Sequence, residues 1–152
     1  MPKYVPQVLT GVWIVALVVL TSKTVGYAAE QGLLIEAAAF VAIIPILGLV
    51  FLTPKAELAG WAVFTVWLGS TYAGQGGIEL VVFGVIVALA IFGYVTSPWL
   101  LVLAWFGHIA WDFVPRDLPE HLTDLPHACI IFDGLIGAFI AWRILSGRWK
   151  AA

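Results

Sequence analysis

The stretch GIELVVFGVIVALAIFGYV at residues 77–95 decides the fold class. Its single charged residue, Glu79, lies near the beginning, and apolar side chains fill the rest. A helix of about 20 such residues crosses the hydrocarbon core of a bilayer, whereas strands of soluble sheets are much shorter. The stretch therefore predicts a transmembrane α-helix.

The whole chain shares this apolar character. Of its 152 residues, 62% are hydrophobic and 11% are charged, and the mean hydropathy is +1.05. Soluble domains contain about 25% charged residues. We therefore predict an all-α polytopic membrane helix bundle, in which residues 1–152 form a single transmembrane helical domain of about six spans.

Apolar runs on either side of residues 77–95 indicate where the helices lie. The short interruptions at Pro54 with Lys55, at residues 74–77 and at Ser97 with Pro98 favour antiparallel neighbours in a bundle. The connection at residues 115–125 is the only long and polar one, and the third helix is expected to be short. The predicted helices are 7–27, 32–52, 57–72, 77–95, 98–114 and 126–146.

The N-terminal apolar run at residues 8–20 follows Lys3, an order that signal peptides share. A convincing small-residue cleavage pattern is missing, and the apolar run continues to Ala29. We therefore expect a retained first span, with a cleaved leader as the alternative.

Basic residues predict the orientation. With six spans, Lys3, Lys55, Arg143, Arg148 and Lys150 lie on one side, against Lys23 and Arg116 on the other. The positive-inside rule then places both termini in the cytoplasm and the polar connection outside, as in a multi-pass protein of the bacterial inner membrane. A five-helix alternative would move one terminus across the membrane.

Charge and composition also bear on partners. The net charge of −2 and the seven scattered basic residues exclude a nucleic-acid partner, and the single cysteine, Cys129, excludes an internal disulfide. Membrane lipids are expected partners, and a homo-oligomer or a larger membrane complex stays open. The sequence contains no glycine-rich phosphate loop and no Gly-x-Ser-x-Gly motif.

Eight tryptophans are present, and several lie near predicted span ends. Tryptophan is enriched where a helix meets the membrane–water interface. We therefore predict that Trp61, Trp99 and Trp149 are interfacial anchors.

Ionisable residues in the last two helices predict a site. A charge at the bilayer centre costs about 2.5 to 3.5 kcal/mol on insertion scales, so such side chains usually face the protein interior. His108 and Asp112 are four residues apart, as are Cys129 and Asp133, so each pair shares one helix face. If the two faces meet, all four side chains converge in the outer half of the bundle.

Other polar residues reach the same outer side. Glu79 and Tyr72 are predicted to assist the site, and His127 and Cys129 are secondary candidates; Glu36 and Gln75 are expected on the same side. Capping of a helix N-terminus explains Glu36 and Glu79 equally well, and Cys129 is also compatible with a small buried hydrophobe.

Four features of the sequence resemble those of a known family. They are Glu79, the string Trp105-Phe-Gly-His-Ile-Ala-Trp-Asp112, a proline-bearing loop and the string Cys129-Ile-Ile-Phe-Asp133. From Tyr72 to about Trp142 the chain resembles small bacterial integral membrane proteins that share a domain of unknown function. The resemblance implies a shared polar motif, with no reaction attached.

Three functions fit this pattern. The first is an intramembrane enzyme on a lipid-like substrate, with His108, Asp112, Asp133, Glu79 and Tyr72 as catalytic residues. His108, Asp112 and Asp133 would either bind a divalent metal such as zinc or form a metal-free acid–base site. The alternatives are an accessory or structural subunit of a larger membrane complex and a small proton-coupled transporter.

Overall fold

The structure, a computed structural model, describes residues 5–73, 76–115 and 123–150, without the side chains of residues 5, 71 and 72. This part of the chain contains six α-helices and no strand. The helices are α1 Val5–Glu30, α2 Leu34–Val50, α3 Pro54–Ala73, α4 Gly77–Val95, α5 Trp99–Asp112 and α6 Leu125–Leu145. The all-α prediction and the order of the helices are confirmed.

Three of the helices are long and apolar enough to cross a membrane. They are residues Pro6–Glu30 of α1, all of α4 and all of α6. The apolar helix α2 has 17 residues and α5 has 14, which at about 1.5 Å per residue is less than the thickness of the hydrocarbon core. The described residues thus contain three candidate spans, and the count of six stays a prediction.

The surface and the interior differ from those of a soluble protein. Large apolar side chains are exposed on all six helices; Phe40 is 74% exposed and Leu145 73%, and Phe51, just after α2, is 86% exposed. The buried polar or charged residues are Thr21, Glu57, Thr65, Glu79, His108, Asp112 and Asp133. A contiguous apolar exterior around a partly polar interior is suited to lipid as the surrounding medium.

Side-chain contacts show how the ends of the helices meet. Late in α5, His108 contacts Asp133 early in α6, and Trp111 contacts Glu79 at the start of α4. We call this the His108 end. At the other end, the Glu57 end, Glu57 near the beginning of α3 contacts Arg143 in the last turn of α6, and Arg148 after α6 contacts Leu52 after α2.

The beginning of α3 differs from the prediction. Pro54 and Lys55 were expected to interrupt the helix, but α3 begins at Pro54 and has 20 residues. Proline suits the first helical position because its missing N–H would have no intrahelical partner there and its φ is already helical. The third helix is therefore not short, and α5 is the shortest of the six.

Two of the three predicted interfacial tryptophans were placed wrongly. Trp61 is completely buried against Phe64 and Phe139, and Trp149 is 7% exposed, whereas Trp99 is 46% exposed. The contact of α6 with α2 brings the chain after α6 back onto the bundle, where Trp149 belongs to the apolar core. Packing of a buried aromatic ring against other side chains stabilises the fold, and this favours burial of the ring where such partners are available.

Candidate functional site

The last two helices position the site. His108 and Asp112 occupy the last turns of α5, and Asp133 lies in the third turn of α6. The helices approach closely because Gly137 has no side chain: a Cβ there would lie 3.1 Å from the Phe106 ring. This glycine therefore lets α6 pack directly onto α5.

His108 lies between two carboxylates. Its Nδ1 is 2.7 Å from Oδ2 of Asp133 and 3.4 Å from Oδ2 of Asp112, and the three side chains have no exposed surface. The shorter distance is that of a strong hydrogen bond, in which the ring N–H donates to the carboxylate of Asp133. The imidazole is therefore held in a fixed orientation by groups from both helices.

Cys129 completes the group. One ligand atom from each of His108, Asp112, Cys129 and Asp133 can be chosen so that all four atoms lie within 4.8 Å of one another. We call these four residues the His108 cluster. The two spacings of four residues predicted this convergence, and the structure confirms it.

The donor set suits a transition metal. Imidazole nitrogen, carboxylate oxygen and thiolate sulfur are the ligands of zinc, which binds them at about 2.0 to 2.3 Å in a tetrahedron. Ligand atoms in such a tetrahedron are about 3.3 to 3.8 Å apart. The His108 cluster, with its atoms within 4.8 Å, needs a contraction of only about 1 Å to reach that geometry.

One oxygen of the cluster lacks a partner. Oδ1 of Asp133 is buried and has no hydrogen bond within the residues that the structure describes. A buried polar atom without a hydrogen bond costs about 1 to 3 kcal/mol, so such an atom usually indicates a bound ion, a water or a functional role. Asp133 thus offers one oxygen to His108 and keeps the other for a further ligand.

A cavity of about 70 Å³ borders the cluster. Asp133 and Cys129 belong to its wall, and the rest is almost entirely apolar. Since one water needs about 10 to 15 Å³ on this measure, the cavity has room for a few waters or a short stretch of hydrocarbon chain. Its other lining residues are Val25, Ala28, Leu34, Ala37, Ala38, Val41, Trp67, Leu68, Leu125, Ala128 and Phe132.

A second, wider groove reaches the cluster from the opposite side. It runs between α4 and α5, has a volume of about 370 Å³ and is lined by His108 and Trp111 among apolar residues such as Val85 and Leu103. The His108 cluster therefore lies between two apolar spaces, one bounded by Asp133 and the other by His108.

Glu79 is linked to this end of the bundle through a tryptophan. It is 7% exposed, and Oε2 accepts a hydrogen bond of 3.0 Å from Nε1 of Trp111, the residue before Asp112. Glu79 does not belong to the group of side chains that could share a metal ion. Its position supports a role in holding α4 against α5 beside the cluster.

The other residues predicted on this side of the bundle lie outside the His108 cluster or outside the described residues. Glu36 and His127 are exposed and do not belong to the His108 cluster. The side chain of Tyr72, which we predicted to assist catalysis, and the whole of Gln75 lie outside the described residues.

A second charged group was missed by the sequence analysis. At the Glu57 end, the buried carboxylate of Glu57 binds Arg143 and Arg148, which lie 86 and 91 positions further along the chain. The only signal in the sequence was that Glu57 is acidic and is predicted at the same membrane side as several basic residues. Such a signal does not identify which residues are in contact.

No protein-family model, curated protein or solved structure matches the chain. The resemblance of residues 72–142 to small bacterial membrane proteins therefore stays a prediction.

Proposed function

We propose that the chain is a multi-pass membrane protein whose His108 cluster binds a divalent transition metal of the zinc class and acts on a lipid-like substrate. The observation that carries the proposal is the convergence of four side chains of metal-ligating type, two of which, Cys129 and Asp133, line an apolar cavity. A structural zinc site needs no such cavity, whereas an enzyme that acts on lipid needs an apolar space beside its reactive groups.

The distances suggest different roles for the four residues. His108, Cys129 and Asp133 would bind the metal, since Cys129 and Asp133 line the cavity and Nδ1 of His108 faces the Asp133 carboxylate. The metal would take the place of the proton that Nδ1 donates to Asp133 in the metal-free protein. Asp112, whose carboxylate is 3.4 Å from the same Nδ1, would lie beside the metal and accept a proton from the molecule activated there. Three protein ligands leave one coordination position for water or substrate, at which the metal would supply Lewis-acid activation.

The membrane topology belongs to the same proposal. Six crossing helices with both termini in the cytoplasm are supported by the apolar exterior and by the charges at the two ends. Among the described residues, the Glu57 end carries four basic residues, Lys55, Arg143, Arg148 and Lys150, and one acidic residue. The His108 end carries Lys23 and six acidic residues, Glu30, Glu36, Glu79, Asp112, Asp124 and Asp133.

Metal analysis of the purified protein tests the binding step. We expect about one equivalent of zinc in the wild type and a loss in Cys129→Ser and Asp133→Asn. Asp124→Asn is the matched control, because Asp124 is exposed at the start of the same helix. Cobalt substitution adds a direct readout: a thiolate-to-cobalt absorption band should appear in the wild type and disappear in Cys129→Ser. Wild-type protein without metal, after growth in zinc-supplemented medium, would remove metal binding from the proposal.

The catalytic step needs a separate experiment. Membrane lipid extract is incubated with wild-type protein, Asp133→Asn or Asp124→Asn in detergent, and the lipids are compared by mass spectrometry. We expect a lipid species that changes with the wild type and Asp124→Asn but not with Asp133→Asn. If wild type and Asp133→Asn leave identical lipids, the enzyme function is wrong.

The second candidate is a structural role, in a subunit of a larger complex. The 2.7 Å hydrogen bond between His108 and Asp133 favours it, because this buried contact locks α5 to α6 with no ligand involved. In that case Asp133→Asn would lower thermal stability while wild-type protein contains no metal, and one partner protein would co-purify at constant stoichiometry.

A further inference from the structure

The Glu57 end contains a charged group that the proposed site does not use. Oε1 and Oε2 of Glu57 accept hydrogen bonds of 2.7 Å from Nε and Nη2 of Arg143. Nε of Arg148 donates to Oε2 of Glu57 at 3.0 Å, and its Nη2 donates to the Leu52 carbonyl at 2.8 Å. One carboxylate from α3 therefore holds two guanidinium groups from the end of α6.

This group carries an excess positive charge. The Glu57 side chain is completely buried, whereas the side chains of Arg143 and Arg148 are 12% and 32% exposed. Two guanidinium groups against one carboxylate leave a net charge of +1. Within the described part of the chain, no second acidic side chain lies at this end to neutralise the excess.

The guanidinium groups also keep donors for a ligand. Arginine carries N–H groups on Nε, Nη1 and Nη2, and both arginines use Nε and Nη2 in the bonds above. Neither Nη1 group has a hydrogen-bond partner within residues 5–73, 76–115 and 123–150. Because Glu57 already fixes both side chains, the remaining donors are oriented before a ligand binds.

The surroundings indicate an amphipathic ligand. The Cζ atom of Arg143 lies 5.5 Å from the ring centre of Trp142, which is 55% exposed. Phe51 is 86% exposed next to the residue whose carbonyl binds Arg148, and Leu145, between the two arginines in the sequence, is 73% exposed. Cationic donors are thus surrounded by apolar surface at one end of the helices.

We propose that Arg143 and Arg148 bind the phosphate group of an anionic phospholipid, with its hydrocarbon chains along the exposed apolar side chains beside them. Basic groups at the ends of membrane helices attract anionic head groups, and arginine matches phosphate oxygens with paired N–H donors. A free phosphate ion would use the same donors but would leave the apolar surface without a partner.

Lipid binding to the full chain in a nonionic detergent tests the proposal. Native mass spectrometry measures the affinity for phosphatidylglycerol and, as the neutral comparison, phosphatidylcholine. We expect phosphatidylglycerol to bind at least tenfold more tightly, and Arg148→Gln to reduce this affinity about tenfold without changing that for phosphatidylcholine. Lys150→Gln, which removes an exposed charge at the same end, should change it less than twofold.

One further variant and one competition measurement complete the test. Arg148→Lys retains the charge but loses the planar donor group, so it should weaken phosphatidylglycerol binding even if Arg148→Gln does not fold. Inorganic phosphate at constant ionic strength should not displace the lipid. Equal affinities for the two lipids, equal losses in Arg148→Gln and Lys150→Gln, or displacement by inorganic phosphate would overturn the phospholipid assignment. Metal content does not enter any of these measurements, so they are independent of the His108 cluster.

Discussion

The Nδ1 atom of His108 lies 2.7 Å from Oδ2 of Asp133, a residue 25 positions further along the chain, and neither side chain has any exposed surface. Each residue would be costly to bury alone among apolar side chains. Because α5 and α6 are antiparallel neighbours, the two side chains meet, and their hydrogen bond reduces the free-energy cost of burying each of them. The same contact fixes the relative position of the helices. It also leaves Oδ1 of Asp133, a residue that lines the cavity, without a hydrogen bond among the described residues.

Loss of this contact should destabilise the protein. We expect Asp133→Ala to lower the free energy of unfolding by about 3 kcal/mol, because it leaves the buried imidazole of His108 without its strongest partner. His108→Ala should cost a similar amount, and the double variant should cost about 1 to 2 kcal/mol less than the sum. Unfolding by denaturing detergent, followed by circular dichroism, measures all three.

Asp124→Ala is the control for this cycle, since Asp124 is exposed and outside the His108 cluster. It should change stability by no more than about 0.5 kcal/mol. Strict additivity of His108→Ala and Asp133→Ala would contradict the contact on which the proposed site depends.

Removal of the metal should also lower stability. A ligand that binds only the folded state stabilises it by about 2.7 kcal/mol when its concentration is a hundred times its Kd. We therefore expect a strong chelator to lower the Tm of wild-type protein and added zinc to restore it. Cys129→Ser, which lacks the thiolate of the cluster, should unfold at a Tm that the chelator does not change. An unchanged Tm in chelated wild-type protein would contradict zinc binding by the folded state.

Much of the fold was predictable because its signals are local. Apolar length alone placed the fourth helix at residues 77–95, the same bounds that α4 has in the structure. The spacings from His108 to Asp112 and from Cys129 to Asp133 required only helical periodicity, which places each pair on one helix face. Convergence of the four side chains was expected on the condition that the two faces meet, and in the structure they do.

The features that the sequence did not predict depend on contacts between helices that are distant in the sequence. The burial of Trp61 requires that α3 packs against α6, where Phe139 contacts its ring. The binding of Glu57 by Arg143 requires that the beginning of α3 and the end of α6 coincide. Neither pairing follows from periodicity or hydropathy, because any of several helices can supply an apolar neighbour in a bundle of this composition.

The Glu57 group should contribute to stability independently of the His108 cluster. We expect Glu57→Ala to lower the free energy of unfolding by about 3 to 5 kcal/mol, because two guanidinium groups lose the buried carboxylate between them. Adding Arg143→Ala should recover part of the loss by removing one uncompensated charge. Glu30→Ala, at an exposed acidic residue, should have an effect below about 0.5 kcal/mol in the same denaturing-detergent titration. The contact would be contradicted if adding Arg143→Ala to Glu57→Ala lowered the free energy of unfolding by as much as Arg143→Ala does in the wild type.

Two glycines of α4 provide a matched test of how α4 packs on α5. A Cβ at Gly93 would lie 2.6 Å from Cδ2 and 3.2 Å from the backbone nitrogen of Leu101, whereas nothing lies within 4 Å of a Cβ at Gly84. Both alanine variants gain helix propensity, so their difference reports the packing. We expect Gly93→Ala to destabilise by about 1 to 3 kcal/mol and Gly84→Ala to be neutral or stabilising by up to about 1 kcal/mol. Equal thermal stability of the two variants would mean that α4 and α5 do not approach at Gly93, and the groove they form beside His108 would then need a different shape.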